Sequence, residues 1–112
     1  MKHVKEKDLL LWEKANIKEL ENWYFSNCNE DWEHQYGVKI DTLDNPGWRV
    51  EIDLEGTKLE KMNFEEVNNT EPELEWIVCK VENKKFIGSG GPKELNNILK
   101  VFIDWVKLNN AI

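Results

Sequence analysis

Residues 28–54, CNEDWEHQYGVKIDTLDNPGWRVEIDL, carry the reading that decides the fold. In their second half the apolar positions alternate. Val38, Ile40 and Thr42 share one face of a first segment, and Trp48, Val50, Ile52 and Leu54 share one face of a second, with charges at most positions between. That period of two belongs to half-buried strands, and Asn45-Pro46-Gly47 joins them as a hairpin. If the apolar faces coincide, Ile40 lies opposite Ile52, Val38 opposite Leu54 and Asp44 opposite Trp48. The preceding SNCNEDWEHQYG is polar, aromatic and rich in turn formers, so it reads as a surface loop that tucks Trp32 and Tyr36 against the core.

Toward the amino terminus, residues 8–27 place Leu9, Trp12, Ile17, Leu20, Trp23 and Tyr24 on one helical face, with Asn16 and Glu19 spaced as a capping box. Toward the carboxyl terminus, Leu54-Glu55-Gly56-Thr57 reads as a tight reversal into a third strand containing Leu59. Residues 65–74, EEVNNTEPEL, read as a mobile acidic loop. Trp76 to Glu82 forms a fourth strand with Ile77, Cys79 and Val81 on one face, and Asn83-Lys84 turns it into a fifth, pairing Val81 with Phe86 and Glu82 with Lys85. After Gly88-Ser89-Gly90-Gly91, Pro92 suits the first position of a helix whose stripe is Leu95, Ile98, Leu99, Phe102, Ile103 and Val106, flanked by Trp105. The order predicts an α+β fold: an antiparallel sheet of four to five strands in a meander, with an N-terminal and a C-terminal helix packed on one face.

A chain of 112 residues suits one domain, which should bury roughly 65% of the surface exposed by its unfolded form. The expected division is a core over 16–108 with residues 1–15 as an N-terminal extension. With 40% hydrophobic and 33% charged residues, the chain reads as globular and not disordered. No apolar run approaches the ~20 residues of a membrane span, and the charged MKHVKEKDLLLWEK start does not read as a signal peptide, so a cytoplasmic location is expected. A formal net charge of -7 disfavours nucleic acid and anionic membranes as partners and favours a basic protein surface.

The chemistry candidates are thin. Asp31, Glu33 and His34 could suggest metal or acid–base work, but adjacent loop positions fix no ligand geometry, and the chain has two His and two Cys in all. GSGGP lacks the Lys and Ser/Thr of a phosphate-binding loop and reads as a strand-to-helix turn. Cys28 sits among acids that oppose thiolate formation, and no basic cluster flanks Cys79. No catalytic residue, metal or cofactor is therefore assigned. The competing readings are a thiol-dependent sulfur-transfer enzyme using Cys28 or Cys79, and a small metal- or ligand-binding regulator using His34.

One outward feature points to a partner. In the expected register Asp41 faces Glu51, and the reversal at Gly56 sets Glu60 opposite Glu51, a row of like charges whose repulsion a cationic surface would relieve. With the aromatic–acidic loop, this predicts a partner-binding surface comprising Asp31, Trp32, Glu33, His34, Asp41, Asp44, Glu51 and Glu60.

The chain also resembles the immunity protein 53 family of bacterial polymorphic toxin systems. The resemblance runs from about Ile17 to Trp105. It rests on Trp23-Tyr24, Cys28, Asp31-Trp32-Glu33-His34, Tyr36-Gly37, Thr42-Leu43-Asp44-Asn45-Pro46-Gly47-Trp48, Ile52-Asp53-Leu54 with Gly56-Thr57, Trp76, Phe86, Gly88, Gly90-Gly91 and the helix from Leu95 to Trp105. It implies a small protein that binds and neutralises a cognate toxin domain without catalysis. A nuclease toxin would suit an acidic inhibitor electrostatically.

Overall fold

The computed structural model describes residues 16–71, 73 and 75–111. Leu9 and Trp12 of the expected helical stripe lie outside the described residues. Helix α1 covers 16–27, α2 is Trp32–Gln35, and α3 is Leu95–Leu108. The strands are β1 Val38–Leu43, β2 Gly47–Asp53, β3 Val67–Asn69, β4 Ile77–Glu82 and β5 Lys85–Gly90. They form one five-stranded antiparallel sheet in the order β1-β2-β5-β4-β3. The α+β architecture expected from the sequence is the one observed.

Strand parity sorts the sheet into two faces. Val50, Ile52, Cys79 and Phe86 are fully buried on the inner face, where α3 crosses β5, β2 and β4. The helix meets them with Ile98, Leu99, Phe102, Ile103 and Val106, and each such side chain contributes roughly 1.5–3 kcal/mol by leaving water. Helix α1 packs beside α3. Its fully buried Trp23 sets its ring edge-on to Phe102 at 4.9 Å, and Asn16 and Glu19 bond Asn96 and Lys107 of α3 at 3.1 and 2.9 Å.

Those two bonds correct the expected capping box. Asn16 is already helical and buried, and its amide is committed to Asn96. The buried stripe of α1 runs through Asn16, Leu20 and Trp23, which leaves Ile17 and Tyr24 exposed. Pro92 likewise precedes α3 in a turn, with Glu94 as the cap, and does not open the helix.

The β4–β5 hairpin has the expected register, Val81 opposite Phe86 and Glu82 opposite Lys85. Asn83 and Lys84 both adopt positive φ, 52° and 60°, the backbone of the turn that matches the natural twist of a two-residue hairpin. The β1–β2 hairpin differs. Ile40 lies opposite Val50 and Val38 opposite Ile52, a slip of two residues that puts Leu43 opposite Gly47 and leaves Asp44, Asn45 and Pro46 as the connection. A slip of two keeps every side chain on its expected face.

The third strand at Leu59 does not form. Gly56, with φ 81°, makes the predicted reversal in a turn closed by Thr57 N–H to Leu54 O, but two further turns, closed by Glu60 N–H to Thr57 O and Met62 N–H to Leu59 O, follow it. Leu59 is still fully buried. β5 takes the place beside β2, and the acidic segment read as a mobile loop contributes β3, an edge strand on β4.

Candidate partner-binding surfaces

The polar stretch before β1 is ordered by its own side chains. Asn29 Oδ1 accepts the N–H groups of Asp31 and Trp32 at 3.0 and 2.8 Å, while the Glu33 carboxylate reaches back to those of Asn29 and Glu30 at 2.9 and 2.8 Å. Together they hold Glu30 at φ 72° and start α2. This winds Trp32 inward to 5% exposure, where its Nε1–H donates to Glu55 O at 2.8 Å and its ring meets Trp23 edge-on. Of the predicted surface, Trp32 is thus inside the core and Glu33 is engaged with the backbone. Asp31 and His34 remain exposed.

The two-residue slip dissolves the carboxylate row. Asp41 faces Arg49 and not Glu51, and Glu51 faces Lys39. Glu51 also lies 3.7 Å from Arg49 and 3.9 Å from Lys85. Glu60 is not on a neighbouring strand. Its carboxylate accepts the Gly56 N–H at 2.9 Å and sits 3.4 Å from Lys84. Asp41 caps its own neighbour, accepting the Thr42 N–H at 2.9 Å, and Asp44 is exposed in the hairpin connection. The outer sheet face therefore sets charges of opposite sign across from one another, with Glu51, Asp53 and Glu82 beside Arg49, Lys85 and Lys80. A polar cleft of about 420 Å³ opens beside α2, lined by His34, Lys39, Asp53 and Lys85 among others, and there too Asp53 is bonded to the Gly37 N–H and lies 3.7 Å from Lys85.

Glu33 and Glu60 carry a pH signature. Backbone N–H groups, its own first and then those of Asn29 and Glu30, hold Glu33 below the ordinary carboxylate value, and Gly56 N–H followed by Lys84 does the same for Glu60. A carboxyl whose pKa is lower folded than unfolded contributes stability above the unfolded value, and this is lost as pH falls through the folded one. Urea midpoints should therefore decline on the acid side of 4.5, the unperturbed value. The Glu33→Gln, Glu60→Gln double variant should show a shallower decline, and an unchanged slope would mean that other carboxylates govern it.

The thiol and metal readings gain no support among the described residues. Cys79 is fully buried and burial pushes its thiol up to about 12, so it is protonated at neutral pH. The half-buried Cys28 donates through Sγ to Tyr24 O at 3.3 Å. Among the described residues no three His, Cys, Asp or Glu side chains converge as metal ligands, and no helix is long and apolar enough to cross a membrane.

A second surface was not predicted. An open, mainly apolar groove of about 480 Å³ lies between the segment entering β3 and the C-terminal half of α3. Asn63, Phe64, Glu65 and Val67 form one wall, and Val101, Asp104, Trp105 and Leu108, spaced i, i+3, i+4 and i+7, form the other. Trp105 anchors it, donating Nε1–H to Asn63 O at 2.8 Å and meeting the Phe64 ring at 5.0 Å. Two sequence signals could have found it. Leu108 continues the helical spacing from Val101 and Trp105 past the core stripe, and the 18 residues from Met62 to Cys79 contain five glutamates and no Lys or Arg.

A protein-family model described as immunity protein 53 matches residues 17–107. No curated protein and no solved structure matches the chain.

Proposed function

The chain belongs to the immunity protein 53 family, and from that premise we propose that it protects its producing cell by binding a cognate polymorphic toxin domain and holding it inactive, without catalysis. The observation that carries the reading is the family match over residues 17–107. The chemistry agrees with it. The fully buried, protonated Cys79 is unsuited to nucleophilic work, whereas a net charge of -7 suits a binder of basic surfaces. The family match and the core α1–α3 lie within 16–108, which is the unit we assign to this role, with the first fifteen residues outside it.

The test is neutralisation by the purified chain of the C-terminal domain encoded in the neighbouring upstream reading frame. Co-expression should restore growth. In vitro, inhibition should titrate to completion at equimolar protein and leave the toxin's mass unchanged, because an inhibitor that only binds is consumed in the complex. Inhibition by catalytic amounts, a covalent change in the toxin, or no protection at all would each overturn the reading.

A further inference from the structure

The charges on this molecule are unevenly spent. On the outer sheet face, Glu51 and Asp53 lie beside Arg49 and Lys85, and Glu82 lies 2.9 Å from Lys80. Beside α2, Glu33 and Glu60 are satisfied by backbone N–H groups and Lys84. None of Glu65, Glu66, Glu71, Glu73 and Glu75 forms an ion pair among the described residues, and no Lys or Arg stands between Met62 and Cys79 to offset them locally. They surround β3, whose far edge no other strand covers among the described residues.

The apolar groove lies along the same edge. Leu108, on its rim, is 80% exposed, and Val101, half-buried against the core, lines the groove with it from α3. An apolar cleft with an aromatic floor, lined by the unpaired Glu65 with Glu66 next in the chain and set beside an open strand edge, has the composition of a recognition site: anchors that fill a pocket within a rim of charge that steers the partner. Of the two carboxylates that line the groove, Asp104 is held by Lys100 at 2.7 Å, whereas Glu65 forms no ion pair among the described residues.

We infer that the groove between β3 and α3 receives the toxin: an element of the toxin domain places an apolar side chain between Val101 and Leu108 and presents Lys or Arg to Glu65 and Glu66. The inference rests on the immunity reading and gives it a location. It also moves the interface away from the α2 loop and the outer sheet face, where Glu33, Glu51, Asp53, Glu60 and Glu82 are engaged by backbone N–H groups or cations, although Asp31 and Asp44 stay exposed.

The experiment measures affinity of the full chain for the same upstream-encoded toxin domain. Leu108→Asp and the Glu65→Lys, Glu66→Lys pair alter exposed side chains, so thermal melting should stay near wild type. Each should weaken binding about tenfold or more, and the wild-type affinity should fall with added salt. Glu82→Lys, an equal charge reversal per site on the outer face, should bind as wild type does. Wild-type binding with unaffected groove variants would overturn this inference and leave the immunity reading intact. No wild-type binding would remove both. Loss of binding only on Asp31→Lys and Asp44→Lys would place the interface at the α2 loop. If Glu65→Lys, Glu66→Lys self-associates yet binds toxin normally, or if the wild type is a dimer that Leu108→Asp dissociates, the groove or its charge serves contacts between copies of this chain, and the inference fails.

Discussion

Trp32→Ala should cost about 4 kcal/mol of folding stability, a large share of the roughly 5–15 kcal/mol that holds a domain together. The ring is packed between α1 and the turn at Glu55-Gly56: it meets Trp23 at 6.0 Å and Tyr36 at 6.1 Å, and its Nε1–H closes that turn through Glu55 O. Gly56 fits against it so closely that a Cβ there would lie 3.2 Å from Trp32 Cδ1. Truncation therefore opens a cavity where α1, α2 and the 54–57 turn converge and leaves a carbonyl without its donor. Trp32→Phe keeps most of the contact area and should cost about 1–2 kcal/mol, mainly through the lost bond and the smaller ring. Urea denaturation of both variants checks the ordering. A Trp32→Ala protein with wild-type stability but no toxin binding would instead make this tryptophan an interface anchor.

The loop sequence tucks Trp32 against the core and also counts it in the partner surface; its burial bears out the first reading and removes it from the second. A tryptophan among acids, turn formers and a histidine has no periodic neighbours to assign it a face, so composition alone makes it look like a surface residue. What turns it inward is the reciprocal bonding of Asn29 and Glu33 around a left-handed Glu30. The motif that identifies the family is in this part scaffold: Glu33 orders the backbone that delivers Trp32 to the core.

Periodicity did reveal the sheet faces, the β4–β5 register and the stripe of α3, because each is decided by burial within one or two adjacent segments. It could not choose between registers of β1 on β2 that differ by two residues, since both present the same face. The candidate carboxylate row depended on that choice. The slip exchanged Glu51 for Arg49 opposite Asp41 and turned predicted repulsion into an ordinary charge grid. Leu59 shows a related limit: one apolar residue specifies burial but not the conformation that achieves it, and here a run of turns buries it in place of a strand. β3 spans only Val67–Asn69, too short for alternation to register against its acidic surroundings. The groove was missed because it is formed by segments about forty residues apart, Phe64 and Trp105, whose meeting no local pattern encodes.

Gly88→Ala should destabilise the fold by about 3 kcal/mol, and the effect should depend on Ile98. Gly88 is on the inner face of β5, directly beneath α3. A Cβ built there would overlap Ile98 Cγ2 and press on Phe86 Cε2 at 3.2 Å and Cys79 Sγ at 3.5 Å. All three neighbours are fully buried, so the clash cannot be relieved by turning a side chain into solvent. Gly90, two residues on, is also confined, with its Cβ position 3.0 Å from Glu94 Cβ. The glycines before α3 thus let the helix approach the sheet closely, a packing role that accounts for them without a bound anion. Ile98→Ala alone should cost about 2–5 kcal/mol through the cavity it leaves. Combined with Gly88→Ala, that cavity accepts the new methyl, so the double variant should be more stable than the sum of the two effects by about 1 kcal/mol or more. Strict additivity in a double-mutant cycle would show that β5 moves to accommodate the added methyl and that contact with Ile98 is not what requires glycine here.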